Sequence, residues 1–185
     1  MNLPSSRRSF LKTSFKAGLA LSALGSFPLQ AIEPINRPGK PRFLLSLAAY
    51  SFRDSFLSAD PEKKLDLFQF IDYCAEHGCD GTELTSYYFP KDLTADYLLR
   101  IKRHVYLRGL AISGTAVGNN FALPKGEKRN EQIQLVKTWI DHSAIMGAPH
   151  IRVFAGPAPK GTSADVARKF CIEALEECCD YASSK

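Results

Sequence analysis

Several short stretches of this 185-residue chain gather side chains suited to a polyhydroxylated ligand. They are Tyr50-Ser51-Phe52-Arg53-Asp54, Glu83 with Thr85-Ser86-Tyr87-Tyr88, the run from Gly114 through Asn119 and Asn120 to Phe121, and Arg152 with Phe154 and Gly156. Aromatic faces cover C–H surfaces, while Glu, Asn, Thr and Arg exchange hydrogen bonds with hydroxyls. Taken singly, each also reads as an ordinary polar loop residue, and Tyr87 or Tyr88 as lid packing. Glu83 and Arg152 stand apart because they lie within strand-like runs.

Other chemistries find little support. Gly114 and Gly118 lack the spacing and the Gly-Lys-Ser/Thr ending of a phosphate loop. No serine sits in a Gly-x-Ser-x-Gly elbow. His77 falls in the last turn of a helix, where a cation suits the dipole. His104 and His142 fall on helices, and His150 begins a strand. The cysteines at 74, 79, 171, 178 and 179 are odd in number and irregular in spacing, a poor disulfide framework. Cys74, Cys171 and Cys178 read as small hydrophobes on helix faces. A zinc site from Cys74, Cys79, Cys178 and Cys179 would need unusual ligand spacing. No self-sufficient metal site is expected in these residues, and Lys125 to Arg129 reads as a solvated loop.

The elements that must position the polar stretches repeat one pattern. A short apolar strand leads to an amphipathic helix, which closes on glycine just before the next strand. Strands are expected at Leu44–Tyr50, Gly81–Leu84, Leu110–Val117 and His150–Ala155. The first long helix is expected from Asp60-Pro61, with Leu67, Phe70, Ile71, Cys74 and Ala75 inward. The second is capped by Thr94 and buries Leu98, Ile101 and Val105. The third buries Ile133, Val136, Ile140 and Ala144. The last starts at Ser163 and buries Ala167, Phe170, Cys171, Ala174, Cys178 and Tyr181. Gly78, Gly109 and Gly147 are expected to supply left-handed C-caps.

Four strand–helix alternations predict an α/β fold with a parallel sheet, either a small doubly wound sheet or part of a (β/α)8 barrel. In both, ligands meet the carboxyl ends of the strands, where the polar stretches fall. The chain stops at Lys185 without a closing glycine or strand, and a full barrel needs about 250 residues. Four units of an incomplete barrel are therefore expected, poorly stable alone and prone to aggregate or dimerise.

The first 31 residues read differently. Ser6-Arg7-Arg8-Ser9-Phe10-Leu11-Lys12 carries the paired arginines, apolar pair and lysine of a twin-arginine signal, followed by an uncharged stretch too short for a permanent membrane span. Arg7 and Arg8 are the signal motif, and the Tat translocase is the partner it implies. Cleavage is expected after Ala31, with Gly25 as the alternative. Residues 32–43 form a Pro/Gly-rich linker and 44–185 the domain. The net charge of +5 includes Arg7, Arg8, Lys12 and Lys16, and after the leader and linker residues 43–185 carry −1. Nucleic-acid binding is not expected from that balance. An exported, periplasmic or extracytoplasmic protein is.

The blocks Leu47–Arg53, Cys79–Leu84, Ser113–Phe121 and Gly147–Gly156 resemble exported sugar-phosphate isomerase/epimerase proteins of the xylose-isomerase-like TIM-barrel superfamily. The resemblance runs from about residue 44 to the end. It implies the N-terminal four βα units of a (β/α)8 barrel, and an isomerase or epimerase moving a proton on a sugar or sugar-like polyol with a divalent metal, Mn2+ or Mg2+. It implies that metal ligands and catalytic carboxylates come from strands five to eight, beyond residue 185. The residues it carries over form a substrate-side wall: Tyr50, Phe52, Glu83, Asn119 and Arg152. A non-catalytic exported sugar-binding barrel is the alternative. A nuclease of the endonuclease-IV type is disfavoured by export and charge.

Overall fold

The computed structural model describes residues 43–185; the leader, with Arg7 and Arg8, and nearly all of the linker lie outside the described residues. Strands β1 (Ser46–Ala48), β2 (Gly81–Thr85), β3 (Ala111–Ala116) and β4 (Ile151–Arg152) form a parallel sheet in the order β1-β2-β3-β4. The helices are α1 (Arg53–Phe56), α2 (Leu67–Glu76), α3 (Ala95–Leu107), α4 (Glu127–Met146) and α5 (Ala164–Ser183). A doubly wound sheet reverses its strand order about a switch point, whereas this one steps along in a single direction. That is the winding of a barrel wall. β1 and β4 stand at the edges of the described sheet.

Strands β1 and β4 are shorter than their apolar runs suggested. Leu44 and Leu45 are exposed and precede β1, which begins at Ser46. The start of α2 also differs from the expectation at Asp60-Pro61. Asp60 instead holds a turn, accepting from the Glu62 and Lys63 backbones. Asp66 caps α2 in a reciprocal box: its carboxylate accepts from Gln69 N at 2.8 Å, and Asp66 N donates to Gln69 Oε1 at 2.9 Å. Thr94 and Ser163 cap α3 and α5 as expected.

Helix faces and the outer side of the sheet share one core. Leu67, Phe70, Ile71 and Cys74 from α2, Leu98, Ile101 and Val105 from α3, and Ile133, Val136, Trp139 and Ile140 from α4 meet Leu84 and Ile112 of the strands. Truncating fully buried Phe70 to alanine would cost about 3–5 kcal/mol. Ala144, expected inward, is exposed, and Arg129 is buried on α4, where it pairs with Glu173 at 3.2 Å, rather than solvated.

The three glycine caps are built alike. Gly78, Gly109 and Gly147 have φ of 70°, 70° and 78°. At each, the residue after glycine donates to the carbonyl five residues back: Cys79 to Cys74, Leu110 to Val105, and Ala148 to Ser143. The glycine N–H donates to the carbonyl three back, completing a Schellman motif. Each helix thus turns directly into the next strand.

Candidate active site at the strand ends

Pairing between β2 and β3 slips by one residue at Thr82/Glu83, so Thr82 faces Ile112 while Glu83 faces Gly114. The slip sets Gly114 and Ala116 beside Glu83 and Thr85, with Arg152 paired to Ala116 on the far side. Gly114 admits the close approach of β4, since a β-carbon there would stand 3.2 Å from the His150 carbonyl oxygen. With only glycine and alanine between them, Glu83 and Arg152 reach each other across β3. Arg152 Nη2 donates to Glu83 Oε1 at 3.1 Å.

Tyr50 and Tyr87 stand on single 310 turns, Ala49–Phe52 and Ser86–Tyr88, that directly continue β1 and β2. Their rings meet edge to face with centroids 6.5 Å apart. Tyr87 lies directly against Gly118, where any β-carbon would collide with its ring and hydroxyl. The Arg152 guanidinium sits 5.5 Å from the Phe154 ring centroid. Tyr50, Thr85, Tyr87, Ala116, Arg152 and Phe154 line a cavity of about 280 Å3. The Thr85 hydroxyl is buried and has no hydrogen-bond partner among the described residues. A larger concavity of about 440 Å3 lies away from the strand ends, between α4, β4 and α5, and is mostly apolar.

The structure brings Tyr50, Glu83 and Arg152 together and places Phe52 and Asn119 elsewhere. Phe52 packs against Phe70 and Tyr73, with centroids at 5.5 and 4.9 Å. Asn119 is buried and spends its amide on backbone: Nδ2 donates to the Phe154 carbonyl at 2.8 Å, and Phe154 N donates to Oδ1 at 2.9 Å. It extends the β3–β4 ladder by one rung and holds Phe154 at the cavity wall. Asn120 adds a second tie, from Nδ2 to the Pro157 carbonyl at 3.1 Å. Gly156, at φ 82°, leaves the space that the Asn120 side chain fills. Tyr87 as a wall residue was signalled by its place just after a strand, but the room made for it by Gly118 was not.

Residues 71–185 match the family described as the xylose isomerase-like TIM barrel. The chain belongs to that family. Solved structures agree with the barrel fold. A protein from Sinorhizobium meliloti 1021 shares 23% identity over 76% of this chain and 46% of its own, with a TM-score of 0.60. D-psicose 3-epimerase from Clostridium cellulolyticum H10, solved with D-tagatose, shares 13% over 77% and 49%, with a TM-score of 0.63. The 3-keto-D-glucoside 4-epimerase from E. coli shares 17% over 77% and 53%, with a TM-score of 0.55. This member of the family therefore spans about half the length of the solved structures it matches. No curated protein matches it.

One further similar structure, the IolI protein, was solved with a bound zinc atom. Among the described residues no group of three His, Cys, Asp or Glu could hold a metal ion. Glu83, the carboxylate beside the cavity, is already engaged by Arg152. The described residues do not compose a metal site by themselves. No helix among them is long and apolar enough to cross a membrane.

Proposed function

We propose that this chain supplies the sugar-holding wall of an exported isomerase or epimerase that moves a proton on a sugar or sugar-like polyol. The observation that carries the reading is the strand-end cavity, where Tyr50, Tyr87 and Phe154 offer aromatic faces beside the Arg152–Glu83 pair. Ring faces cover the C–H side of a sugar, and the ion pair supplies both donors and acceptors for hydroxyls. The buried Thr85 hydroxyl costs about 1–3 kcal/mol while unpartnered, a deficit that a ligand hydroxyl would offset. Solved relatives of this fold include a D-psicose 3-epimerase bound to D-tagatose, which supports a ketose-like substrate.

The reading includes a divalent metal, Mn2+ or Mg2+, and proton-transferring carboxylates. Both are assigned to residues other than those described, and the wall itself binds and orients. Export is part of the proposal and rests on the Arg7-Arg8 motif and the uncharged stretch after it. Glu83 is held by Arg152, which favours a binding role for it over that of a free base. A barrel that holds sugars without converting them draws on the same observation.

Deuterium wash-in separates the two. The natural full-length polypeptide, supplied with Mn2+ and incubated in D2O with a panel of ketohexoses and pentuloses, is expected to exchange one carbon-bound hydrogen of its substrate, seen by NMR. Sugar binding without exchange would overturn the enzymatic reading.

A further inference from the structure

The three glycine caps share their backbone hydrogen bonds but not the side chains that flank them. In this motif the residue after the glycine is hydrogen-bonded through its backbone to the residue five earlier, and the two side chains are frequently in contact. The pairs are Val105 with Leu110, Ser143 with Ala148, and Cys74 with Cys79. One cap thus brings two cysteines together, close enough that Cys79 is among the groups that raise the Cys74 thiol. The bond from Cys79 N to the Cys74 carbonyl is 3.0 Å. Standard backbone spans on either side then hold the two Cα atoms within about 7 Å even if fully stretched, and closer for any bent arrangement. Disulfides bridge Cα separations up to nearly that limit.

We propose that Cys74 and Cys79 are a dithiol–disulfide pair, oxidised in place by a low-molecular-weight disulfide such as oxidised glutathione. Cys79 is half-buried and Cys74 fully buried, so Cys79 reacts first. Its thiolate attacks one oxidant sulfur, forms a mixed disulfide and releases one reduced thiol. Cys74 then loses its proton and displaces the second. The pair gives up two protons and two electrons, and one oxidant disulfide becomes two thiols. Burial pushes the Cys74 thiol up to about 11, which keeps it from reacting with oxidant independently.

The bridge would staple the junction where β1 meets β2. Asp80, next in the chain, accepts from Leu45 N at 2.9 Å, while Asp80 N and Gly81 N both donate to the Leu45 carbonyl. The proposal rests on the cap alone; export would only determine where the oxidant is met.

Trypsin tests it directly, because no Lys or Arg lies between Lys64 and Lys91, so both thiols leave in one peptide, residues 65–91. Cys171, Cys178 and Cys179 leave in another, residues 170–185. The full chain is equilibrated with oxidised and reduced glutathione, alkylated and digested. Peptide 65–91 is expected two hydrogens lighter and without alkyl groups. Half-oxidation should need roughly tenfold less oxidant in the folded chain than in urea, because the cap raises the effective thiol concentration. Oxidation should raise the melting temperature, and Cys79→Ser or Cys79→Ala should remove that rise. Two alkyl groups on the peptide, a lone glutathione on Cys79, or equal oxidant demand in urea would overturn the proposal.

Discussion

Arg152 on β4 donates to Glu83 on β2 at 3.1 Å across a strand that places only Gly114 and Ala116 between them. The pair is a consequence of the one-residue slip in β2–β3 pairing. Arg152 lines the strand-end cavity and Glu83 holds it there, their charges balancing each other.

Arg152→Ala and Glu83→Gln should therefore act on binding far more than on stability. The Arg152 side chain is 43% exposed, and an ion pair at such exposure contributes only about 0–1 kcal/mol. Each substitution is expected to weaken polyol binding about tenfold, equivalent to about 1.4 kcal/mol, by removing hydrogen-bonding groups at the cavity. Titration calorimetry and a denaturant melt on the same variants check both halves. Equal losses in the two would show that the pair is structural.

Asn119→Ala should do the reverse. Two hydrogen bonds to the Phe154 backbone vanish in a buried setting, leaving its N–H and carbonyl unpaired. A loss of about 2 kcal/mol in unfolding free energy is expected. Polyol affinity should fall as well, because Phe154 is no longer held at the wall. Asn119→Asp keeps the acceptor but turns a buried carboxylate oxygen toward the Phe154 carbonyl, so at neutral pH it should be at least as destabilising as alanine and recover part of the loss as the carboxyl is protonated.

Gly118→Ala tests the Tyr87 contact. A β-carbon at 118 must push the ring aside, which a surface tyrosine can accommodate at small cost in stability. The cavity should open on that side and lose sugar affinity severalfold. Combining it with Tyr87→Ala, which removes the ring to be displaced, should produce no further loss, a double-mutant cycle with strong coupling.

How much of this could be read in the amino-acid sequence depended on distance along the chain. Gly78, Gly109 and Gly147 were legible as caps because a helix end and its glycine are neighbours in sequence. Thr94 and Ser163 were legible for the same reason. Asp66 with Gln69 carried an equally local signal, but Asp60-Pro61 offered a competing one and proved to be a turn. The order of elements alone put Tyr50 just after β1, Glu83 within β2 and Arg152 at the end of β4, and the structure has them there. That order did not show that Asn119 would close on Phe154, 35 residues away, or that Phe52 would turn to Phe70. Those outcomes follow from packing between separated segments, which no local pattern encodes. The burial of Arg129 likewise depends on Glu173, 44 residues later on α5.

Acid should weaken the α2–α3 contact through Asp72. Burial alone would raise its carboxyl, but Arg108 Nε and His104 Nε2, each 2.6 Å from Oδ1, outweigh burial and hold it below the usual carboxylate range. The unfolded chain then binds more protons at this group, so stability rises with pH there. The contribution is complete well above the ordinary Asp value of about 3.9 and is lost as pH falls through the lower folded value. Asp72→Asn should flatten the acid limb of a stability–pH curve and leave the neutral region lower and parallel. An unchanged acid limb would remove Asp72 from the account.

The strand-end wall as a sugar site is tested most directly by measuring ketohexose binding to the natural full-length polypeptide, wild type beside Arg152→Ala, under one set of conditions. The account predicts saturable binding by the wild type, weakened about tenfold in the variant, with both proteins melting at nearly the same temperature. Equal affinity in the two proteins would contradict it and move the ligand away from these strand ends.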